Sequence, residues 1–171
     1  EIDTSYDFII NGLKQFCGVR RRFEIKYDNI NNKNIMLIDD YAHHPSEISS
    51  TIEAAKSGWP NRRIISIFQP HLFSRTKDFY KEFSKSLMNS SINILTPIFP
   101  AREKPIKNIT SSIIENELKI LGHNNTYMCE NMNEIPALIK QYINKDDIVL
   151  VMGAGNIYKS IDSIYSTIIN E

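Results

Sequence analysis

The amino-acid sequence predicts an α/β domain of three layers, in which a mostly parallel sheet is covered by helices on both faces. After a first helical stretch, short apolar runs rich in β-branched residues alternate five times with amphipathic windows. Each strand–helix unit requires a right-handed crossover that packs its helix onto the sheet. Hydrophobic residues make up 42% of the 171 residues, which is sufficient for one core without a disulfide or a metal.

The first elements are a helix, an alternating strand and a buried strand. Residues 6–16 carry an apolar face at helical spacing, and residues 22–27 alternate between apolar and polar side chains. Residues 29–34 form a polar turn. The run at residues 35–38 is apolar throughout, as expected of a strand that is buried on both faces.

The strand–helix alternation then continues to the end of the chain. Pro45 suits the first position of a helix that ends near Gly58. Further apolar runs predict strands at residues 64–68, 92–95, 126–129 and 148–152. Apolar stripes predict the helices between and after them, within residues 79–87, 113–121, 135–143 and 157–168.

Composition excludes several classes of protein. Lys plus Arg and Asp plus Glu both number 20, and this balance argues against a nucleic-acid or membrane-surface partner. No apolar run reaches the roughly 20 residues that span a bilayer, and the first residues lack the features of a signal peptide, so we expect a cytoplasmic protein. Cys17 and Cys129 have no metal-ligand spacing and are expected to be isolated, reduced thiols.

Unusual polar residues cluster after four of the predicted strands. The segments are residues 39–45, 69–76, 100–105 and 153–156, and the first two contain three of the four histidines. The carboxyl ends of parallel strands meet at one edge of a sheet, where ligands of open α/β sheets bind. The sequence therefore predicts a ligand site at this edge.

Each of these residues also has a structural interpretation. Asp39 and Asp40 could cap the following helix, and His43 and His44 could be ordinary turn residues or, less favourably, zinc ligands. Arg75 opens a predicted helix, where its charge opposes the helix dipole. That position suggests a bound anion, although a salt bridge would also explain it.

The glycines at the end of the last predicted strand invite a dinucleotide-binding interpretation. Gly153-Ala154-Gly155 follows the strand, but Tyr158 stands where G-x-G-x-x-G has its third glycine. A tight strand-to-helix turn therefore explains the motif better. The sequence contains no G-x-x-x-x-G-K-[ST] phosphate loop, so a triphosphate would have to be held by another part of a protein.

Five segments together resemble the Mur ligase family. Asp-Asp-Tyr-Ala-His-His-Pro at 39–45 and Phe-Gln-Pro-His-Leu-Phe-Ser-Arg-Thr at 68–76 are most similar to the motifs of its L-alanine-adding members. Residues 18–24, 101–106 and 152–156 match the family pattern in order and spacing. The resemblance covers essentially the whole chain, and the first two motifs together are highly specific.

The resemblance implies a bacterial, ATP-dependent ligase of three domains. Residues 1–17 would end the central domain, which holds ATP and Mg²⁺, and residues 18–171 would form the Rossmann-like C-terminal domain that brings the amino acid. The implied reaction joins L-alanine to UDP-N-acetylmuramate through an acyl phosphate, in peptidoglycan synthesis. Without the phosphate loop, the isolated chain is expected to be inactive. A sibling ligase and a stand-alone binding module are the alternatives.

The same resemblance assigns roles to residues of the four segments. Arg75 would hold the alanine carboxylate, while His71, His43 and Tyr41 would line the alanine pocket, with the two histidines and Arg75 acting in catalysis. The sequence departs from some relatives at Leu72, where they carry a second arginine. On the ATP side, the resemblance implies Asp39 or Asp40 at the ribose together with Arg22 and His44.

Overall fold

A single sheet with helices on both faces forms the core of the computed structural model, which describes residues 5–16 and 18–170. The strands within these ranges are β1 (Glu24–Ile30), β2 (Ile35–Asp40), β3 (Ile64–Phe68), β4 (Ile92–Leu95), β5 (Thr126–Met128) and β6 (Ile148–Met152). The helices are α1 (Tyr6–Gln15), α2 (Pro45–Gly58), α3 (Phe73–Leu87), α4 (Ser112–Ile120), α5 (Ile135–Tyr142) and α6 (Ile161–Ile169). Short 3₁₀ turns at Met132–Glu134 and Ile157–Ser160 precede α5 and α6.

The strand order is β1-β2-β6-β3-β4-β5. The five strands β2, β6, β3, β4 and β5 are parallel, and β1 pairs with β2 in the antiparallel direction. One apolar cluster joins the sheet to α5 and α6, and a second joins its other face to α2, α3 and α4. The sheet is buried from both sides, so its parallel strands consist of apolar runs. The predicted three-layer α/β architecture is confirmed.

Several strand bounds agree with the sequence prediction, and three strands differ from it: β1, β2, and β5, which ends at Met128, one residue earlier than predicted. The strands at residues 64–68, 92–95 and 148–152 are confirmed. β2 continues through Asp39 and Asp40, which pair with Val151 and Met152 of β6, so the two aspartates belong to the strand and not to the loop after it. β1 begins two residues later than predicted and runs to Ile30, with register irregularities along its length.

The beginnings of α2 and α3 differ in how their free amide groups are satisfied. His44, and neither aspartate, is the N-cap of α2; its ring accepts from the Ser46 amide, and Glu47 completes a capping box. α3 begins after Leu72, which has a φ of 72° and makes no side-chain cap. The carboxylate of Glu103, from another loop, accepts from the Ser74 amide of α3 at 3.0 Å.

The N-terminal helix α1 is confirmed, but its apolar face is exposed in this chain. Phe8, Leu13 and Phe16 are all more than 60% accessible. Among the helices that the structure describes, none has both the length and the hydropathy of a bilayer-spanning segment. Cys129 is a buried free thiol, whereas Cys17 lies outside the described residues. The division of the chain near Gly18 stays a prediction.

Candidate functional site

Side chains from the loops after β2, β3 and β4 come together at the carboxyl edge of the sheet; those after β2 and β3 belong to the predicted segments. The rings of His43 and His71 lie 5.8 Å apart, edge to face, and Tyr41 contacts His43 with a centroid distance of 5.2 Å. Phe99, from the loop after β4, stacks on the other side of His71 at 5.8 Å. Arg75 lies in the first turn of α3, close enough for its charge to act on His71.

Besides Nε of Arg21, which lies 3.4 Å from the Asp39 carboxylate, two buried nitrogen atoms at this edge lack hydrogen-bond partners. They are Nδ1 of His71 and Nη1 of Arg75. An unsatisfied buried polar atom costs about 1–3 kcal/mol, and more when it belongs to a charged group. Arg75 opposes the helix dipole, and its Nη1 has no partner although Glu103 places a carboxylate at the start of the same helix, so the guanidinium still has a donor available for an anion. The arrangement suits a small ligand that carries a carboxylate.

The imidazole of His71 is biased toward its neutral form. Burial lowers the pKa of His71, the positive charges of Arg75 and His43 lower it further, and Glu103 opposes them. A neutral ring beside a guanidinium avoids repulsion between two cations. His71 can then exchange a hydrogen bond with a ligand without adding charge to the site.

Glu103 holds the start of α3 in place. Its carboxylate accepts hydrogen bonds from both the amide and the hydroxyl group of Ser74, and these bonds lower the pKa of Glu103. An anion at a helix N-terminus is favourable, because it faces the positive end of the helix dipole. Glu103 therefore fixes the turn of α3 that presents Arg75.

Glu47 organises the loop that carries His43. One of its carboxylate oxygens accepts from the His43 amide at 3.0 Å and from the His44 amide at 3.1 Å, and it lies 3.1 Å from Nδ1 of His43. The same Nδ1 is 3.0 Å from the carbonyl oxygen of Tyr41. The ring of His44 serves as the cap of α2 and packs edge-on against Phe79, away from this cluster.

The two aspartates at the end of β2 have different surroundings, because successive strand residues point to opposite faces of a sheet. Asp40 accepts from the amides of Phe23 and Ala42, both at 2.8 Å, and from the Thr51 hydroxyl at 3.2 Å. Asp39 is 3% accessible and pairs with Arg21 at 3.4 Å. Burial raises the pKa of Asp39, and Arg21 opposes that effect.

A cleft of about 440 Å³ lies beside Asp40, next to the histidine cluster. Its walls come from the start of β1, the end of β2 and the first turns of α2, and include Arg22, Phe23, Asp40, Glu47 and Thr51. The Arg22 side chain is 54% accessible; its guanidinium lies 3.9 Å from Glu47 and 5.7 Å from the centre of the Tyr41 ring. Asp40 and Arg22 thus share the cleft, whereas Asp39 does not line it.

Comparison with known proteins identifies the family. A family model described as "Mur ligase, glutamate ligase domain" matches residues 21–155, which is most of the chain. The chain belongs to the Mur ligase family.

Two similar relatives of this Mur ligase chain have the same name. It is 36% identical over all of its 171 residues to the UDP-N-acetylmuramate–L-alanine ligase of Salinibacter ruber. Over 162 residues, 92% of the chain, it is 43% identical to the enzyme of that name from Clostridium kluyveri. The chain spans about a third of the length of these relatives, 35% and 34% respectively.

A solved structure of the same description also matches the fold. The crystal structure of the UDP-N-acetylmuramate–alanine ligase from Thermotoga maritima superposes with a TM-score of 0.79 at 29% identity. The match covers 95% of this Mur ligase chain and 33% of that structure.

Sequence reasoning missed Arg21, which connects three parts of the carboxyl edge of this Mur ligase chain. Its guanidinium lies between the rings of Tyr41 and Tyr158, at 4.9 and 4.8 Å from their centres, and donates to the carbonyl oxygen of Gly153. Its own carbonyl oxygen accepts from the Tyr41 amide at 2.7 Å. The basic run at residues 20–22 was a signal for such a contact, but the partners are remote in sequence.

The glycines after β6 make a packed turn, as predicted, which lies against Gln69 and Phe99. A Cβ atom on Gly155 would lie 2.3 Å from the Gln69 side-chain oxygen and 2.5 Å from Phe99, while Gly153 has a φ of 153°. Gln69 joins the end of β3 to this turn, donating to Asn156 at 3.0 Å and accepting from the Ile157 amide at 3.2 Å. Within the described ranges, no group of three or more His, Cys, Asp or Glu side chains is arranged to hold a metal ion.

Proposed function

We propose that this chain is the C-terminal, amino-acid-binding domain of an ATP-dependent ligase that joins L-alanine to UDP-N-acetylmuramate. The names of the full-length relatives and the family membership support this proposal. Residues 1–17 then end the preceding domain, and residues 18–171 form the C-terminal domain. The remaining two thirds of such a protein would supply the phosphate loop and the UDP-sugar site, so the chain alone is inactive.

The observation that carries the proposal is the pair of unpartnered nitrogens on His71 and Arg75. A guanidinium fits a carboxylate, because it can donate two parallel hydrogen bonds to the two oxygens. In the proposed complex, Arg75 binds the carboxylate of L-alanine, and His43, His71 and Tyr41 surround its amino group and methyl group.

The cleft beside Asp40 fits part of a bound nucleotide. One carboxylate oxygen of Asp40 accepts a single hydrogen bond from the protein and can accept another from a ribose hydroxyl group. The exposed guanidinium of Arg22 stands at the same cleft, ready for phosphate oxygens. Asp40 is therefore the better candidate of the two aspartates. His44, which the resemblance also placed on the ATP side, does not line this cleft; its ring caps α2 and packs against Phe79.

ATP and Mg²⁺, when bound, supply the phosphoryl group that activates the muramoyl carboxylate. The residues of this chain then position the second substrate for attack. Holding the carboxylate of alanine on Arg75 directs its amino group toward the histidines, and so replaces a bimolecular encounter by an oriented one. Positioning of this kind is the main contribution that we assign to the domain.

Replacing Arg75 tests the proposal in the full-length protein. A hydrogen bond to a charged group contributes about 1.5–3 kcal/mol, so we expect Arg75→Ala to raise the KM for L-alanine by about 10-fold to 100-fold. The measurement is alanine-dependent phosphate release at saturating ATP and UDP-N-acetylmuramate. Lys77→Ala, which removes an exposed cation from the same helix outside the predicted segments, is the control and should leave the KM unchanged. An unaltered KM in Arg75→Ala would reject the carboxylate assignment.

A further inference from the structure

The hydrogen-bond partners of His43 determine which of its ring nitrogens carries the proton. Nδ1 lies 3.0 Å from the carbonyl oxygen of Tyr41 and 3.1 Å from a carboxylate oxygen of Glu47. A carbonyl oxygen and a carboxylate can only accept, so Nδ1 must donate. In the neutral ring the hydrogen is therefore on Nδ1, and the free lone pair is on Nε2.

Glu47 is suited to this arrangement because it remains a carboxylate. Burial alone would raise its pKa, but hydrogen bonds from the His43 and His44 amides, together with the nearby charges of His43 and Arg22, lower the pKa below its usual value. A fixed carboxylate both orients the imidazole and stabilises the cation that forms when Nε2 takes up a proton.

His71 is less suited to take up a proton. The pKa of His71 is lowered by burial and by the charges of Arg75 and His43, and its buried Nδ1 has no carboxylate partner. The two histidines are neighbours, yet one has a counter-ion for its cationic form and the other faces cations. This difference assigns them different tasks.

We propose that Glu47 is a positioning residue that holds His43 with Nε2 free to accept the proton from the ammonium group of the incoming amino acid. The inference rests on the proposed function. The amino group of an amino acid is an ammonium ion near neutral pH, and it must lose a proton before its nitrogen can attack. Glu47 touches no reacting atom and acts through His43.

The proton balance of the step is complete. His43 Nε2 takes one proton from the alanine ammonium group, and the nitrogen lone pair then forms a bond to the carbonyl carbon of the acyl phosphate. The bond from that carbon to the phosphate oxygen breaks, and the leaving phosphate accepts the second proton of the amine nitrogen. The imidazolium of His43, stabilised by Glu47, returns its proton to solvent.

The charged and titratable groups around His43 come from three elements. Glu47 and, behind it, Arg22 stand on the side of α2 and β1, and Tyr41 belongs to the same loop as His43. His71 faces the ring from the loop after β3, with Arg75 and Glu103 beyond it. Only Glu47 supplies a carboxylate to a nitrogen atom of the ring among these described contacts.

Glu47→Gln in the full-length protein is the decisive variant. Glutamine keeps the capping box, since its side-chain oxygen can still accept from the two amides, but it removes the charge. We expect kcat to fall by about 10-fold to 100-fold while the KM for L-alanine changes little. The acid side of the profile of kcat against pH should move to lower pH, because the variant lacks the carboxylate that stabilises the cationic ring. The same change in a His43→Gln background should have no further effect on kcat.

Glu53→Gln is the matched control, because it removes an exposed carboxylate from the same helix. A Glu47→Gln protein with an unmoved pH profile, or one no slower than Glu53→Gln, would overturn the inference. Failure of the proposed function looks different, because the unaltered full-length protein would then show no alanine-dependent phosphate release.

A spectroscopic measurement tests the tautomer without reference to activity. Long-range proton–nitrogen correlation of the imidazole rings in the 171-residue chain should show His43 protonated at Nδ1 above neutral pH, with its signals assigned by their loss in His43→Gln. In Glu47→Gln the population protonated at Nε2 should increase. A ring protonated at Nε2 in the unaltered chain would refute the inference.

Discussion

An arginine lies at each edge of the sheet, and the two arginines differ in how many of their nitrogen atoms have hydrogen-bond partners. At the amino edge, Arg63 donates to both carboxylate oxygens of Asp147, at 2.9 and 2.7 Å, and to the carbonyl oxygen of Tyr142 at 2.6 Å. At the carboxyl edge, Arg75 has a buried nitrogen without a partner. The first arginine stabilises the fold, whereas the second is left open for a ligand. The two residues are of the same type, and what distinguishes them is whether their guanidinium nitrogens have hydrogen-bond partners.

The largest effect on stability is expected at the amino edge. Asp147 is 1% accessible, so Arg63→Met leaves a buried carboxylate without its counter-ion, and the free energy of unfolding should fall by about 3 kcal/mol. Arg75→Met should not lower it and is expected to raise it, because the substitution removes a buried nitrogen atom that has no partner. Urea unfolding of the 171-residue chain measures both. Equal losses in the two variants would remove the distinction between the edges.

A smaller effect is expected from the glycine beneath the carboxyl edge. Gly155→Ala forces Phe99 and Gln69 apart, and overpacking of this kind costs about 1–3 kcal/mol. Because Phe99 stacks on His71, the substitution should also raise the KM for L-alanine in the full-length protein. Gly58→Ala at the end of α2, where nothing lies within 4 Å, is the control. A Gly155→Ala protein with unchanged stability and unchanged KM would show that Gln69 and Phe99 can shift without cost and would reject this prediction.

The smallest effect concerns the pH dependence of stability. Because the folded state lowers the pKa of His71 below 6.5, the unfolded chain binds more protons as the pH falls through this region, and stability decreases. The contribution of His71 is fully present above pH 6.5 and is lost toward the lower folded-state pKa. In His71→Gln, unfolding by urea between pH 7.5 and 5.5 should depend less steeply on pH. An identical dependence in the two proteins would contradict the lowered pKa.

The sequence predicted the apolar parts of the fold well, because periodicity reports burial directly. The strand at residues 148–152 has the predicted bounds, and the helix after Pro45 begins there and ends at Gly58. β1 was placed less well, since its irregular register and the left-handed φ of Asn29 leave no simple alternation. Asp39 and Asp40 looked like loop residues because polar side chains rarely end a buried strand, yet both continue the ladder with β6.

The candidate site was predictable in its location and less so in its details. Polar residues at the carboxyl ends of parallel strands identified the edge, and the structure brings His43, His71 and Arg75 together there. The tasks of Glu47 and Glu103 were not predictable, because each depends on amide and hydroxyl groups that a folded loop presents. Motif resemblance assigned roles to residues, but it could not separate Asp39 from Asp40. The two could be distinguished only from the structure, in which their side chains point to opposite faces of the sheet and Asp40 alone of the two lines the cleft.

The antiparallel direction of β1 determines where the chain reaches the sheet. Residues 18–23 arrive at the carboxyl edge, where the Phe23 amide donates to Asp40 and the Tyr41 amide donates to Arg21. Any polypeptide joined ahead of residue 18 is therefore attached beside His43 and the cleft, and not at the far end of the domain. A substitution among residues 18–23 can therefore alter the cleft directly, because the backbone of this segment is hydrogen-bonded to both Asp40 and Tyr41.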